Sequence, residues 1–248
     1  YLKKHYKTNT VVIEDPHAGH GGFGRSSAEY FAAILPDLLQ SLSNSSSDSS
    51  SNSSSAVLSF HKILAEYKSL HSGSGMDLAF QYFGQICLAE PSLRLYQTFN
   101  WHFQNLDFYI VSTNFKVNTH DHISKLNLDA LRDLPPLSDK ITRVFAENKE
   151  FEFLSLMKEW CKVLESHQLT HPNSIIMRMQ LEAFESIKLA KPCGALGADV
   201  ILVFYAKSHK ETVKNFLVQN NFKIQAHSSD LVEGVLSQIK NVRSSNVD

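Results

Sequence analysis

Ser72-Gly73-Ser74-Gly75-Met76-Asp77-Leu78-Ala79 is the stretch on which the reading of the fold turns. Two glycines among serines make a flexible turn, and Met76, Leu78 and Ala79 open an apolar segment straight after it. Asp77 therefore stands at the start of an ordered element. A carboxylate in that place commonly serves a helix dipole; one that follows a glycine turn is also placed to act on a bound ligand. Just upstream, residues 60–70 carry apolar side chains at helical spacing, so this turn closes an amphipathic helix.

Two more glycine turns lie on either side in the chain. The first is Gly19-His20-Gly21-Gly22-Phe23-Gly24-Arg25-Ser26-Ser27-Ala28. A strand at residues 11–13 leads into it, and Ser26-x-x-Glu29 is a capping box for a helix with Phe31, Ile34, Leu35 and Leu38 on one face, kinked by Pro36. Glycines let backbone amides approach a phosphate at a helix N-terminus, and the serines offer hydroxyls to phosphate or magnesium. The same residues also read as a plain strand-to-helix turn. The third turn, Lys191-Pro192-Cys193-Gly194-Ala195-Leu196-Gly197-Ala198-Asp199, runs directly into an apolar strand at residues 200–205. Read alone, it is equally a loop before a core strand.

Gly19-x-Gly21-x-x-Gly24 spells the dinucleotide fingerprint, which requires a second strand ending in an acidic residue about 20 positions on. A kinked helix and a serine-dominated tract at residues 41–55 stand there instead, so a nicotinamide-dependent oxidoreductase rests on the fingerprint alone. No Gly-x-x-x-x-Gly-Lys-[Ser/Thr] is present, which excludes a P-loop. The serine tract has nothing to repay the entropy of ordering and reads as a surface loop between two helices.

Composition narrows the class further. The 248 residues carry Lys+Arg 24 against Asp+Glu 25, a net charge of −1, which argues against binding nucleic acid by phosphate neutralisation. No apolar run approaches the ~20 residues of a membrane span. Cys87, Cys161 and Cys193 are widely spaced and form no disulfide framework, so a reduced, cytoplasmic setting is expected. His17-x-x-His20 and His120-Asp121-His122 lack the spacing of a helical metal site. The chain opens at Tyr1 close to an apparent strand, so an upstream segment is expected. Strands are predicted at residues 93–99, 108–113, 200–205 and 222–225. Residues 138–189 read as mostly helical with a break at 170–173, and residues 210–219 as a helix capped by Ser208-x-x-Glu211. The last strand, helix and strand form a ferredoxin-like β-α-β unit.

In this order and spacing the three turns resemble the GHMP kinase superfamily, and within it the mevalonate and phosphomevalonate kinase branch. Gly22-Phe23-Gly24-Arg25-Ser26-Ser27-Ala28 is similar to its phosphate loop, Ser74-Gly75-Met76-Asp77 to its catalytic segment, and Gly194-Ala195-Leu196-Gly197-Ala198-Asp199 to its third motif. Arg25, Leu196 and Ala198 depart from the family pattern. The resemblance implies an α+β chain of two domains, residues 1–125 holding the phosphate loop and 126–248 ferredoxin-like, with ATP in the cleft between. It implies an enzyme that transfers a phosphoryl group from ATP to a small molecule, with mevalonate or phosphomevalonate as acceptor.

On this resemblance Asp77 is the catalytic base. Gly22, Gly24, Arg25, Ser26, Ser27, Gly194, Ala195 and Gly197 bind ATP, Ser26 and Glu66 hold magnesium, and His71, Ser74, Gly75 and Thr119 meet the acceptor. Residues 113–119 resemble the family's strand and loop leading into the second domain. A monomer or homodimer is implied, with ATP and a small-molecule substrate as partners. Two alternatives stay open, a kinase of another sugar or small alcohol, and a nucleotide-binding homologue impaired in catalysis by Arg25 and the lost glycines.

Overall fold

Helical spacing of Phe60, Ile63, Leu64 and Tyr67 places all four on one side of a helix, α1, which spans Asn52–Leu70 and buries them. The structure, a computed structural model, describes residues 28, 30–32, 34, 52–71, 74–90, 95–115, 117 and 131–237. By their contacts these fall into two units, one holding the described residues up to Asn100 and from Leu231 onward, the other running from Trp101 to Asp230. The first glycine turn at 19–27, Thr119, and Lys125, near which a boundary is expected, lie outside the described residues.

In the first unit α1 is followed by α2, Met76–Phe83, and an antiparallel pair, β1 Ile86–Glu90 with β2 Leu95–Phe99, in the register Ile86↔Phe99 to Glu90↔Leu95. The helix begins earlier than its apolar pattern predicts. Its first turn takes up residues 52–55 of the serine tract, because short polar residues suit a helix start. β1 lacks the alternation that would have announced it. Leu78, Ala79 and Tyr82 turn the inner side of α2 onto α1, and helical residues 30–32 and 34 add Tyr30, Phe31 and Ile34. Phe31 stacks on Tyr82 with ring centres 6.0 Å apart, and Tyr30 meets Tyr67 edge-on at 5.2 Å. The inward set predicted there, Phe31 and Ile34, is buried, while Leu35 and Leu38 lie outside the described residues.

The second unit is built on β3, Leu106–Ser112, and the strands that flank it. Three helices follow, α3 Leu134–Ala146, α4 Glu150–Ser166 and α5 Pro172–Glu182, then β4 Ile187–Cys193, β5 Val200–Ala206, α6 Lys210–Gln219 and β6 Ile224–His227. The sheet order is β4-β5-β3-β6 with every neighbouring pair antiparallel. β3 and β4 thus run parallel on either side of β5, and β5 and β6 parallel on either side of β3. Two such split β-α-β units make the ferredoxin-like architecture. The α+β class and the terminal β-α-β unit are therefore as predicted.

The continuous apolar run of β5 is explained by burial on both faces. Phe204 joins Trp101, Phe108 and Phe153 on one face, with ring centres 5.9–6.0 Å from Phe204. Ile201, Val203 and Tyr205 join Tyr109, Val111, Leu181, Val213 and Leu217 on the other. β4 corrects the sequence reading, which carries helix to residue 189. Leu, Ala and Lys are all good helix formers, but pairing with β5 claims these residues. An irregularity between Ile187 and Leu189 lets Ile187 and Ala190 share a face, which hides the strand period. The break at 170–173 is confirmed, as α5 starts at Pro172 with the His171 ring accepting from Asn173 N at 3.2 Å. The capping box at Ser208 does not form; residues Lys207–His209 are a 3-10 turn and His209 caps α6 with no side-chain bond.

Arg178 ties three elements of this unit. It grips Glu165 of α4 through Nε and Nη2, and Glu182 of α5 through Nη1, each at 2.9 Å. Glu182 in turn accepts the Ala190 amide of β4 at 3.0 Å.

A polar group closes the end of the Tyr205 face. Tyr205 Oη lies 2.8 Å from His227 Nε2, Asp107 Oδ2 lies 3.4 Å from the same nitrogen, and Ser228 donates to Asp107. Burial pushes the His227 ring below its ordinary pKa of 6.5, with Lys210 acting in the same direction and Asp107 and Asp230 opposing. A histidine depressed in the folded state contributes stability above its unfolded pKa and loses it as pH falls through the folded value. The melting temperature should therefore fall on acidification from pH 6.5. His227→Asn should lower it at pH 7 and flatten that slope, read by calorimetry across the acid range; an unchanged slope would remove His227 as its source.

Candidate functional site

The second glycine turn takes its shape from α1. Gly75 caps α2 in the left-handed region, at φ 76°, and a Cβ added there would strike Leu64 Cδ1, with Lys68 Cε next nearest. Only glycine satisfies both the dihedral and the space. Ser74 Oγ accepts the Met76 amide at 3.3 Å, so this hydroxyl serves the helix start. Asp77 follows in the first turn of α2. Leu78, Ala79 and Tyr82 face the core, which leaves Asp77 and Phe80 on the outward side. Asp77 stays exposed as a residue, yet packing around its carboxyl strips enough water to raise its pKa above the ordinary 3.8. A carboxylate made more basic by desolvation is a better proton acceptor than a free one.

His71 ends α1 and is stacked on Tyr67, ring centres 4.3 Å apart, with Tyr30 edge-on at 6.4 Å. It sits at the rim of the aromatic core. Glu66 is exposed, with its carbonyl accepting Ser69 Oγ at 2.6 Å. At ~100° per residue, Glu66 lies about 160° around α1 from Leu64, which meets Gly75, and about 60° from Ile63. Ile63 is where Tyr30 donates, 3.4 Å to its carbonyl. Glu66 therefore lies away from the side of α1 that meets the Asp77 turn. Among the described residues no three His, Cys, Asp or Glu side chains gather as a metal site, and Ser26 lies outside them. The residues described do not by themselves make a magnesium shell.

The third turn is anchored through its carbonyls, all within the second unit. His171 N donates to Leu196 O at 2.8 Å and Ser174 Oγ to Gly197 O at 2.7 Å, both from the start of α5. Thr113, one residue past β3, donates its hydroxyl to Ala198 O and its amide to Asp199 O at 3.3 Å. Asp199 N returns to Cys193 O at 3.1 Å. Gly194 turns at φ 88° with the Asp199 carboxylate packed over its Cα. Leu196 occupies the left-handed region at φ 53°, a conformation that a glycine would adopt without strain. Thr113, Ser174 and His171 went unnoticed in the sequence as supports of this turn. They lie 23 to 86 positions from the groups they bond, and only the pairing of β3 with β5 brings Thr113 there.

No protein-family model matches this sequence, and no curated protein matches it significantly. Solved structures do match. A Streptococcus pneumoniae phosphomevalonate kinase in complex with phosphomevalonate and AMPPNP aligns with 85% of this chain and 69% of its own, at TM-score 0.58 and 17% identity. A second structure of the Streptococcus pneumoniae phosphomevalonate kinase aligns over 86% and 74%, at TM-score 0.57 and 17% identity. The chain shares its α+β fold with these two phosphomevalonate kinase structures.

Asp77, Ser74, Gly75 and His71 belong to the first unit and Gly194, Ala195 and Gly197 to the second. The first set is close in space, since Gly75 rests on α1 one turn from its end at His71. Thr113→Val should cost about 1–3 kcal/mol, because it takes the hydroxyl donor from the Ala198 carbonyl of the third turn in a site where Thr113 is 5% exposed. Denaturant unfolding measures this directly. A loss below the error of the midpoint would show that the turn holds itself.

Proposed function

We propose that this chain transfers a phosphoryl group from ATP to a small-molecule acceptor, and that the acceptor is mevalonate or phosphomevalonate. The observation that carries the reading is Asp77, delivered by a glycine-only turn to the start of a helix with its carboxyl made more basic, in a fold shared with a kinase solved with phosphomevalonate and AMPPNP. Phosphoryl transfer asks little covalent chemistry of a protein and much positioning. Asp77 would take the proton of an acceptor hydroxyl, Gly75 would let that acceptor approach the backbone, and His71 with Ser74 would line its approach. The Gly194–Gly197 turn, and residues 22–27 of the first turn, would lie against the nucleotide phosphates. Magnesium would accompany those phosphates, with Ser26 and Glu66 as the proposed ligands and Thr119 as a further acceptor contact.

The two acceptors make different demands on Asp77. Mevalonate offers a hydroxyl whose proton must leave. Phosphomevalonate offers a phosphate whose second pKa is about 6, so its oxygen is already ionised at neutral pH. Asp77→Asn should then cost about 10²–10⁴-fold in kcat with an alcohol acceptor and much less with a phosphate one. Measuring both acceptors in a coupled assay separates them, and near wild-type turnover with each would remove Asp77 as the base. The same variant should melt no lower than the parent at pH 7, because it discards a desolvated charge. That margin should shrink as pH falls through the raised folded value and vanish below 3.8, where the carboxyl is protonated in both folded and unfolded chains.

A second reading is favoured by Leu196, which holds a left-handed conformation where the resemblance has glycine. A nucleotide-binding protein without turnover would show a thermal shift with ATP and form no product.

A further inference from the structure

Two of the three cysteines meet at the foot of the third turn. From Leu189 to Cys193, β4 pairs with β5 without interruption, so Leu189, Lys191 and Cys193 point to one face. That face is covered by α4, whose buried stripe is Phe153, Met157 and Cys161. Phe153 packs on Phe204, the partner of Leu189, with ring centres 5.9 Å apart. Eight residues along α4, from Phe153 to Cys161, advance about 12 Å. Four residues along β4, from Leu189 to Cys193, advance about 13 Å. The two paths bring Cys161 over Lys191 and Cys193, and the Lys191 ammonium and both thiols act on one another electrostatically. Lys191 Nζ donates to Cys193 Sγ at 3.3 Å. Cys161 is buried and Cys193 only partly so, which makes Cys193 the nearer of the two to solvent.

We propose that Cys193 and Cys161 form a peroxide-sensitive thiol pair, oxidised reversibly to a disulfide that joins α4 to the end of β4. In the first step the Cys193 sulfur attacks one oxygen of hydrogen peroxide. An S–O bond forms, the O–O bond breaks, and the departing hydroxide takes the thiol proton and leaves as water. Cys193 is then a sulfenic acid, two electrons oxidised, with the Lys191 ammonium beside it to balance a sulfenate. In the second step the Cys161 sulfur attacks the Cys193 sulfur. The S–S bond forms, the S–O bond breaks, and the Cys161 proton leaves with the hydroxyl as a second water. Burial holds the Cys161 thiol up at about 11, which keeps it protonated at neutral pH and slow to react with peroxide directly. In the reduced chain burial works against the Lys191 ammonium, but Cys193 and Cys161 outweigh it and its pKa is raised.

The disulfide would act on the neighbouring turn. Cys193 O accepts the Asp199 amide, and Gly194 follows with the Asp199 carboxylate over it, so a displaced Cys193 disturbs both ends of that turn. This consequence for nucleotide rests on the function proposed above, whereas the thiol chemistry does not.

Tryptic mapping separates the three cysteines, because cleavage after Lys and Arg places Cys161 in residues 159–162, Cys193 in 189–207 and Cys87 in 69–94. The full chain is treated with a small excess of hydrogen peroxide, and the digest is read without reduction. The expected product is 159–162 linked to 189–207, lost on adding dithiothreitol. Cys161→Ala should lose the link and gain a dimedone adduct on Cys193; Lys191→Met should lose the preference of peroxide for Cys193 over Cys87. A link that includes Cys87, or native thiols that react only in urea, would overturn the pair without any variant having to fold. Thermal shift with ATP, before and after oxidation, reads the consequence, with the shift expected to be lost on oxidation. Absence of a shift in the reduced chain would count against ATP binding, and the peptide map would still decide the thiol pair.

Discussion

Everything in the second unit hangs on the antiparallel pairing of β3 with β5, seven residues in unbroken register from Leu106↔Ala206 to Ser112↔Val200. β3 has a partner on its other edge and β5 another on its own, so removing this ladder would separate the sheet into two hairpin-like fragments. The same register decides where Thr113 emerges. One residue past the last pair, its amide and hydroxyl fall opposite the carbonyls that begin β5, and the glycine turn is held from there. A loop that looks flexible in composition is in this way fixed by a strand 86 positions upstream.

The first unit depends on contact of another kind. α1 and α2 approach so closely at Gly75 that no side chain fits between Leu64 and the turn. The outcome is a short helix aimed by packing rather than by a capping side chain, with Asp77 outward and three apolar residues inward. Desolvation of the Asp77 carboxyl follows from the same crowding. Stability and chemistry are thus in tension at this point, as expected where a charged group is kept partly dry for use.

Much of this was legible in the sequence, for reasons that can be stated residue by residue. The Ser74–Asp77 turn, the strand at 200–206 and the helix at 210–219 each carry a local signal: a glycine pair, an apolar run, a helical period. The ferredoxin-like arrangement followed because a strand, helix and strand of those lengths have few ways to pack. β4 was hidden because Ile187-Lys188-Leu189-Ala190 suits a helix by propensity and a bulge scrambles its alternation. β1 carried no alternation at all. The supports of the third turn were illegible in principle, since Thr113, His171 and Ser174 act through backbone carbonyls brought near by topology. Glu66 is a different case, for its spacing to Asp77 along the chain does not fix which side of α1 it occupies.

The sheet order has one more consequence, for the behaviour of the molecule in company. β4 lies at the edge of the sheet and, among the described residues, pairs only with β5, so its outer row of amides and carbonyls is a template on which a foreign strand could add. Two of its seven residues blunt that hazard. Pro192 has no amide to offer, and the exposed Lys188 places an ammonium group that an incoming chain would have to desolvate. The opposite edge is guarded by brevity, β6 being only four residues long. A strand so armed resists such addition by charge and by a missing hydrogen.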